Sequence, residues 1–285
     1  MINILIAGSK GQLGSEIKEI AFKYPDYNFL YSDSGDMDIT NHKAVDEFIK
    51  VKNIKAIINC AAYTAVEKAE SEPALANSIN HLAVANFAKI AKEKKIIFIH
   101  ISTDYVFDGT NSEPYLETDI PNPQSVYGRS KLDGELAIKK INPANSIIIR
   151  TSWLYSRFGN NFYKTMLNLS QTREQISVVV DQIGSPTNAA DLAKAILTIL
   201  PKISNKKVEL FHYSNEGMCS WYNFANTIFK ILNKKINIKP IRSNEFPSLV
   251  KRPMYSVLDK TLIKDKFGLT IKNWEKSFVN SFKNI

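Results

Sequence analysis

The sequence is short of the residues that build metal centres, disulfide frameworks and membrane anchors. In 285 residues it has two cysteines, Cys60 and Cys219, and four histidines. The cysteines lie far apart and the histidines show no metal-ligand spacing, so neither a disulfide scaffold nor a metal site is expected. Cys60 falls in the apolar run AIINCAAY and is expected in the core, while His81 and His100 are expected to be structural. No apolar run reaches the roughly eighteen residues of a membrane helix. The opening MINILIAGSKG lacks the basic stretch and small-residue cleavage site of a signal peptide. The expectation is a cytoplasmic protein with no membrane partner. Internal repeats and low-complexity linkers are also missing.

What is there is ordinary globular composition, 44% hydrophobic and 23% charged, with enough chain for one large domain or two modest ones. Net charge is +9. The lysines are spread along the chain without the aromatic–basic interleaving of nucleic-acid surfaces, so no nucleic-acid partner is expected. A positive field of this kind suits a small anionic ligand.

The first half alternates β-rich runs with helix-length segments. Strands are expected over 2–8, 28–33, 55–62, 96–103 and 146–153, and helices over 14–24, 44–53, 72–95 and 128–140. This alternation, with nearly continuous apolar strands, predicts an α/β fold: a Rossmann-like doubly wound parallel sheet covered on both faces. After residue 153 the alternation fades. Helices are expected over 160–170 and 188–200, the latter capped by Asn188 and stopped by Pro201, with a strand and turn over 178–184. Residues 1–150 are expected to form a dinucleotide-binding domain, with 183–203 returning to it. Residues 151–182 and 204–285 are expected to form a smaller α+β substrate-binding region.

GSKGQLG places Gly8, Gly11 and Gly14 between the first strand and its helix. Glycines there allow a tight turn and a close approach of backbone to a pyrophosphate, and the helix N-terminus supplies N–H donors. The spacing has one more residue in its first gap than the commonest dinucleotide fingerprint. Asp33, nineteen residues after Gly14, stands where a carboxylate meets the adenosine ribose, which favours NADH. Lys10 in the loop leaves NADPH open as the alternative. Asp38 and Ile39, in the turn DMDIT, are placed to flank the adenine.

HISTDYVFDG ends the fourth strand, and ligands of open parallel sheets bind beyond the carboxyl ends of strands, so Ser102, Thr103 and Asp104 stand where chemistry is expected. Tyr127 opens the next helix and Lys131 follows one turn later on the same face. A lone phenol, with a pKa near 10, is a poor proton carrier at neutral pH. An ammonium nearby is expected to lower that value and make the pair a general acid.

With these motifs in view the chain resembles the extended short-chain dehydrogenase/reductase family. The resemblance spans nearly the whole length and rests on GSKGQLG, MDIT, NCAAYTAVEKAESEP, HISTDYVFDG, PNPQSVYGRSKLDGE, RTSWLY, GNNFYKTML, DQIGSPT, CSWYNFA and RPMYSVLD. It implies a sugar-nucleotide substrate reduced at C4 of its hexose. Tyr127 would be the proton donor, Lys131 its partner and Thr103 the hydroxyl that holds the keto oxygen. Asp104 and Trp153 would contact the sugar, and Asn161 and Arg252 the diphosphate or nucleotide. Gly11, Gln12, Leu13, Asp33, Asp38, Ile39, Ala62, Tyr63 and Thr64 would line the cofactor, and Asn80 would support the site through water. Some members hold magnesium at a dimer contact. Glu16 matches one of their acids but Ala190 replaces another, so no metal is expected, while a homodimer is left open. Rival readings are an epimerase or dehydratase of the same fold, and a non-catalytic regulatory subunit of the methionine adenosyltransferase type. Asp104 is followed by Tyr105 rather than the glutamate of the dehydratases, and the intact Thr103, Tyr127 and Lys131 favour an enzyme over a regulatory subunit.

Overall fold

The computed structural model describes residues 1–282. Six strands form one all-parallel sheet: β1 (Ile2–Ala7), β2 (Tyr27–Ser32), β3 (Ala56–Asn59), β4 (Ile97–Thr103), β5 (Ser146–Thr151) and the strand Glu209–His212. Their spatial order is Glu209–His212, β5, β4, β3, β1, β2. The chain therefore runs outward from β1 to β2, then returns past β1 to build β3, β4 and β5. That reversal opens a crevice between the carboxyl ends of β1 and β3, the position at which such sheets bind ligands.

Successive strand residues point to opposite faces, and both faces are covered, so the strands read as unbroken apolar runs. Ile4, Ile6, Ile58, Ile99, Ile147 and Ile149 pack on one face against Leu192 and Ile196 of the helix Ala189–Ile199. Leu5, Ile57, Phe98 and Ile148 pack on the other against Val84, Phe87, Ala88 and Ala91. The helix Ala189–Ile199 also meets Leu13 and Ile17 of α1 (Gln12–Ile20). Asn188 caps it, accepting from the Ala190 N–H at 2.9 Å, and it ends two residues before Pro201.

Three expectations are revised. The helix expected over 72–95 is Pro73–Asn77 and Ala83–Lys94, joined through a π turn, Ser78–Leu82. The strand expected over 55–62 ends at Asn59, because residues 60–65 leave the sheet for the crevice. The stretch 204–285 is not wholly outside the sheet. Glu209–His212 pairs with β5, and Ile263 and Phe267 of the helix Thr261–Phe267 join the sheet's core, Phe267 lying edge-on to Phe211 at 5.2 Å.

The remaining segments gather around an aromatic cluster: Tyr155, Tyr163, Phe224, Trp274, Phe278 and Phe282. Its elements are the helices Phe162–Thr172, Trp221–Ile231 and Trp274–Phe282, a parallel pair Gln175–Val179 with Asn237–Ile241, and strands of only two residues.

Candidate active site

The glycine loop sits at the crevice. Gly8 has φ +76° and a Cβ there would lie 2.6 Å from the Ala61 nitrogen, so both its conformation and its contact exclude a side chain. Gly14 packs equally closely on the Gly8 carbonyl. The N–H groups of Gly8 and Ser9 donate to the Ser32 carbonyl at the end of β2. No side chain caps the first turn of α1, so its leading N–H groups are presented as a pyrophosphate requires. Gly11, Gln12 and Leu13 line a cavity of about 840 Å³ that runs from this turn past the ends of β4 and β5.

Asp33 follows β2 immediately, and the Lys10 ammonium lies 3.9 Å from its carboxylate. The Asp38 Oδ1 accepts from the Thr40 N–H and hydroxyl at 2.9 and 2.8 Å. Ile39 packs on the sheet's second core cluster. None of these three lines the cavity. Ala62 and Thr64 do; Tyr63 does not, and its hydroxyl donates to Glu72 at 2.7 Å. The Asn80 side chain accepts from the Tyr63 N–H at 2.9 Å and donates to the Tyr63 carbonyl at 3.0 Å and the Ser130 hydroxyl at 3.0 Å. Asn80 thus clips the 60–65 segment to the tyrosine's helix.

Thr103, Asp104, Tyr127 and Lys131 all line the cavity and all are buried. The helix Val126–Ile141 starts at a Ser125 cap, whose Oγ accepts from the Gly128 N–H at 3.0 Å, and this start brings the Tyr127 phenol to the Thr103 hydroxyl. Burial pushes the phenol well above its ordinary value, with the Thr103 hydrogen bond opposing in part. Burial pulls Lys131 down to about 8, with Glu135 opposing. The Lys131 Nζ donates to the Ile101 carbonyl at 2.6 Å and lies 3.3 Å from His100 Nε2. The expectation that the ammonium lowers the phenol is therefore corrected: desolvation dominates at Tyr127, and the ammonium is held by backbone.

Thr103 donates to Asp104 Oδ1 at 3.0 Å. Burial raises the Asp104 carboxyl to about 6, with the Thr103 hydrogen bond and the nearby Ser256 hydroxyl opposing, and no donor lies within hydrogen-bonding distance of its buried Oδ2. Ser102 faces the cavity, but its hydroxyl donates to Glu135 at 2.5 Å. Arg252 lines the cavity, one terminal nitrogen donating to Glu67 at 3.0 Å and its Nε buried without a partner.

Trp153 forms a wall. Its φ is +46°, a strained value for a bulky residue. Its ring lies flat on Trp221 with centroids 3.5 Å apart and planes 5° apart. A Cβ at Gly184 would sit 2.4 Å from the Trp153 ring, so only glycine leaves room for it. Asn161 is turned from the cavity. It caps the helix Phe162–Thr172 and donates to Gln12 Oε1 at 3.0 Å and to the Ser156 and Phe158 carbonyls, while its neighbour Asn160 lines the cavity. Cys60, expected in the core, also lines the cavity, its thiol pushed up to about 12 by burial. Sequence reasoning missed Asn160, Phe162 and Trp221. The motifs GNNFYKTML and CSWYNFA held them, but nothing local says which residue of each faces the crevice. Glu16 accepts from the Ser156 hydroxyl at 2.6 Å, and among the described residues no group of three or more His, Cys, Asp or Glu could hold a metal. Among them, too, no helix is long and apolar enough to cross a membrane.

A glycine turn at the reversal point of a parallel sheet, leading to a buried Thr–Tyr–Lys set, defines a nucleotide-binding oxidoreductase of the short-chain dehydrogenase/reductase class. Within that class the chain belongs to the family described as RmlD substrate binding domain, whose model matches residues 2–285. It is 40% identical over 289 residues to a dTDP-4-dehydrorhamnose reductase of Aggregatibacter actinomycetemcomitans, covering 98% of both chains. A crystal structure of a dTDP-4-dehydrorhamnose reductase from Clostridium acetobutylicum superposes with TM-score 0.93 at 41% identity, covering 99% of each chain. One from Bacillus anthracis, in complex with NADP, superposes with TM-score 0.94 at 38% identity over the whole of both chains.

Proposed function

We propose that this protein is an NAD(P)H-dependent reductase that converts dTDP-4-dehydrorhamnose to dTDP-L-rhamnose, reducing the C4 ketone of the hexose. The observation that carries the reading is the Thr103–Tyr127 hydroxyl pair, buried beside Lys131 at the end of β4 in a cavity that begins at the glycine turn. The bound reduced nicotinamide supplies the hydride.

Every other task falls to side chains of this chain. Tyr127, kept protonated at neutral pH by its burial, gives its proton to the oxygen that becomes the C4 alkoxide. The Thr103 hydroxyl turns its one proton from Asp104 Oδ1 to the same oxygen and fixes its position. Lys131 holds positive charge behind the phenol and has donors to spare for the nicotinamide ribose. Asp104 Oδ2, buried and without a partner, accepts from a sugar hydroxyl, and Trp153 closes one face of the hexose. Arg252 offers its guanidinium to the diphosphate. Asn161 acts on the nucleotide through Gln12, whose side-chain oxygen it holds.

The glycine turn and the first turn of α1 hold the cofactor pyrophosphate, with Ala62 and Thr64 along its path. Residues 1–150 and the returning helix thus serve the dinucleotide, and the aromatic region serves the sugar nucleotide. Lys10 beside Asp33 offsets the carboxylate that repels a 2′-phosphate, so NADPH is accepted alongside NADH.

The test is oxidation of NADPH and NADH against a panel of 4-keto-6-deoxy sugar nucleotides, with product configuration read by NMR. Stoichiometric oxidation with a new C4 hydroxyl is expected. Product formed without net oxidation would mark an epimerase or dehydratase, and specific capture of a partner protein without oxidation would mark a regulatory subunit.

A further inference from the structure

Behind Lys131 runs a hydrogen-bond chain whose polarity is set from the Ala61 N–H. Asn59 ends β3 and stands opposite His100 of β4 in the sheet register, and neither side chain reaches solvent. Asn59 Oδ1 accepts from the Ala61 N–H at 3.1 Å. Its Nδ2 therefore faces His100 Nδ1, also at 3.1 Å. The reverse amide orientation would set two donors against each other at Ala61. Burial and the neighbouring Lys131 charge hold the imidazole well below its ordinary value, so the ring is neutral and carries a single proton. With Nδ1 accepting from Asn59, that proton is on Nε2.

His100 Nε2 points at Lys131 Nζ, 3.3 Å away. A neutral amine offers it a lone pair while still donating to the Ile101 carbonyl at 2.6 Å. An ammonium there meets another N–H. The other groups facing Lys131 do not offset this. On its own helix are Tyr127, a protonated phenol, and Glu135. The Glu135 carboxylate is already held by Arg150 of β5 through two bonds, 2.9 and 2.6 Å, and by Ser102 of β4. Beyond the end of β3, Cys60 is an uncharged thiol.

We propose that Asn59 and His100 are positioning residues which present a ring N–H to Lys131 and so set the pH at which the lysine gives up its proton, fixing the alkaline limit of the reaction. This rests on the reductase reading given above. Because the relay starts at Ala61, against which Gly8 packs, the proton state of Lys131 is tied to the floor of the glycine turn.

The decisive variant is Asn59→Asp. A carboxylate accepts from both the Ala61 N–H and an Nδ1–H, which moves the ring proton to Nδ1 and turns Nε2 into an acceptor for the ammonium. The alkaline limb of kcat/KM should then move up by about one pH unit or more, a tenfold gain in activity on that limb. Loss of a merely structural asparagine would lower activity at every pH without moving the limb, and that result overturns the proposal. In ¹⁵N-histidine NMR of the wild-type protein, His100 should show a protonated Nε2 and a bare Nδ1, reversed in the variant. A wild-type proton on Nδ1 overturns the proposal, as does a shifted limb with the variant's proton still on Nε2. Should Asn59→Asp fail to fold, the wild-type imidazole spectrum and the ¹³Cε titration of Lys131, identified by its loss in Lys131→Met, decide the matter. A midpoint at the ordinary lysine value of about 10 overturns the relay; a lowered midpoint supports it only with the wild-type ring proton on Nε2, and a lowered midpoint with that proton on Nδ1 reports burial alone and overturns it. These spectra need no turnover, so failure of the relay and failure of the reductase reading are separate results.

Discussion

The sheet half of the molecule and its aromatic half are packed by different means. The sheet is filled with aliphatic side chains on long, hydrogen-bonded strands, Ile147, Ile148 and Ile149 being consecutive and alternating between its two faces. The aromatic half has one parallel pair of five-residue strands and otherwise strands of two residues, and depends on ring contacts: Phe224 lies within 6 Å of the rings of Tyr155, Phe162, Trp274 and Phe278. The first arrangement holds backbone positions closely, which suits a hydroxyl pair that transfers a proton. The second builds broad apolar walls, which suits a sugar and a base. The difference teaches that, on the proposed function, the reaction centre and the substrate wall should be separable: one fails through geometry, the other through lost contact area.

That separation can be broken in order of effect. Tyr127→Phe should reduce turnover by about 10²–10⁴-fold, the usual size of a general-acid contribution, while nicotinamide binding followed by fluorescence titration stays unchanged. Phe224→Ala should cost about 3–5 kcal/mol in urea denaturation through the cavity it leaves; if nicotinamide binding falls with it, the two halves are not separable.

Asp104→Asn should have the opposite sign. The folded carboxyl titrates at about 6 against 3.8 when unperturbed, so the folded state holds the extra proton between those values. Stability contributed by the neutral form is complete below the lower value and lost as pH rises through the higher. Above about pH 6 the variant should gain up to about 3 kcal/mol over wild type, and the gain should vanish near pH 4, as denaturation at two pH values will read. Its turnover should fall, since the amide oxygen stays with the Thr103 donor and the amide nitrogen at the Oδ2 position no longer accepts from a sugar hydroxyl.

Trp221→Leu removes the ring beneath Trp153, a stack worth about 0.5–1.5 kcal/mol, and should raise KM for the sugar nucleotide about two- to tenfold with little change for NADPH. Ile148→Val, in the sheet, should cost only about 0.5–1.5 kcal/mol and leave kinetics untouched.

Much of the sheet half was legible because its signals are local. INILIAG runs directly into the glycine turn, and HIST is succeeded twenty-odd residues later by Tyr127 and Lys131, so each run marks a strand end and the element after it. The aromatic half was not legible to that degree. Two-residue strands carry no periodicity, and the stacking of Trp153 on Trp221 joins segments 68 residues apart, the difference between their numbers. The edge strand Glu209–His212 was missed for a related reason: four residues show little pattern, and only pairing with β5 makes them a strand. Asp38 and Ile39 were assigned to the adenine from their position along the chain; they follow β2 in a turn outside the cavity that holds Thr103 and Tyr127, where local pattern gives a position but no contact. Asn161 and Asn160 are adjacent, and the helix cap decided which of them turns inward.

The sequence by itself determined the parallel sheet, the glycine turn and the order of Thr103, Tyr127 and Lys131, because each is set by neighbours a few residues away: apolar runs, a missing Cβ, the pitch of one helix. Only the tertiary structure decided the charge state of those groups. Desolvation, and the direction of the bonds around Asn59, His100 and Lys131, arise between β3, β4 and a helix far apart in the chain, and no local pattern encodes what a buried nitrogen will face.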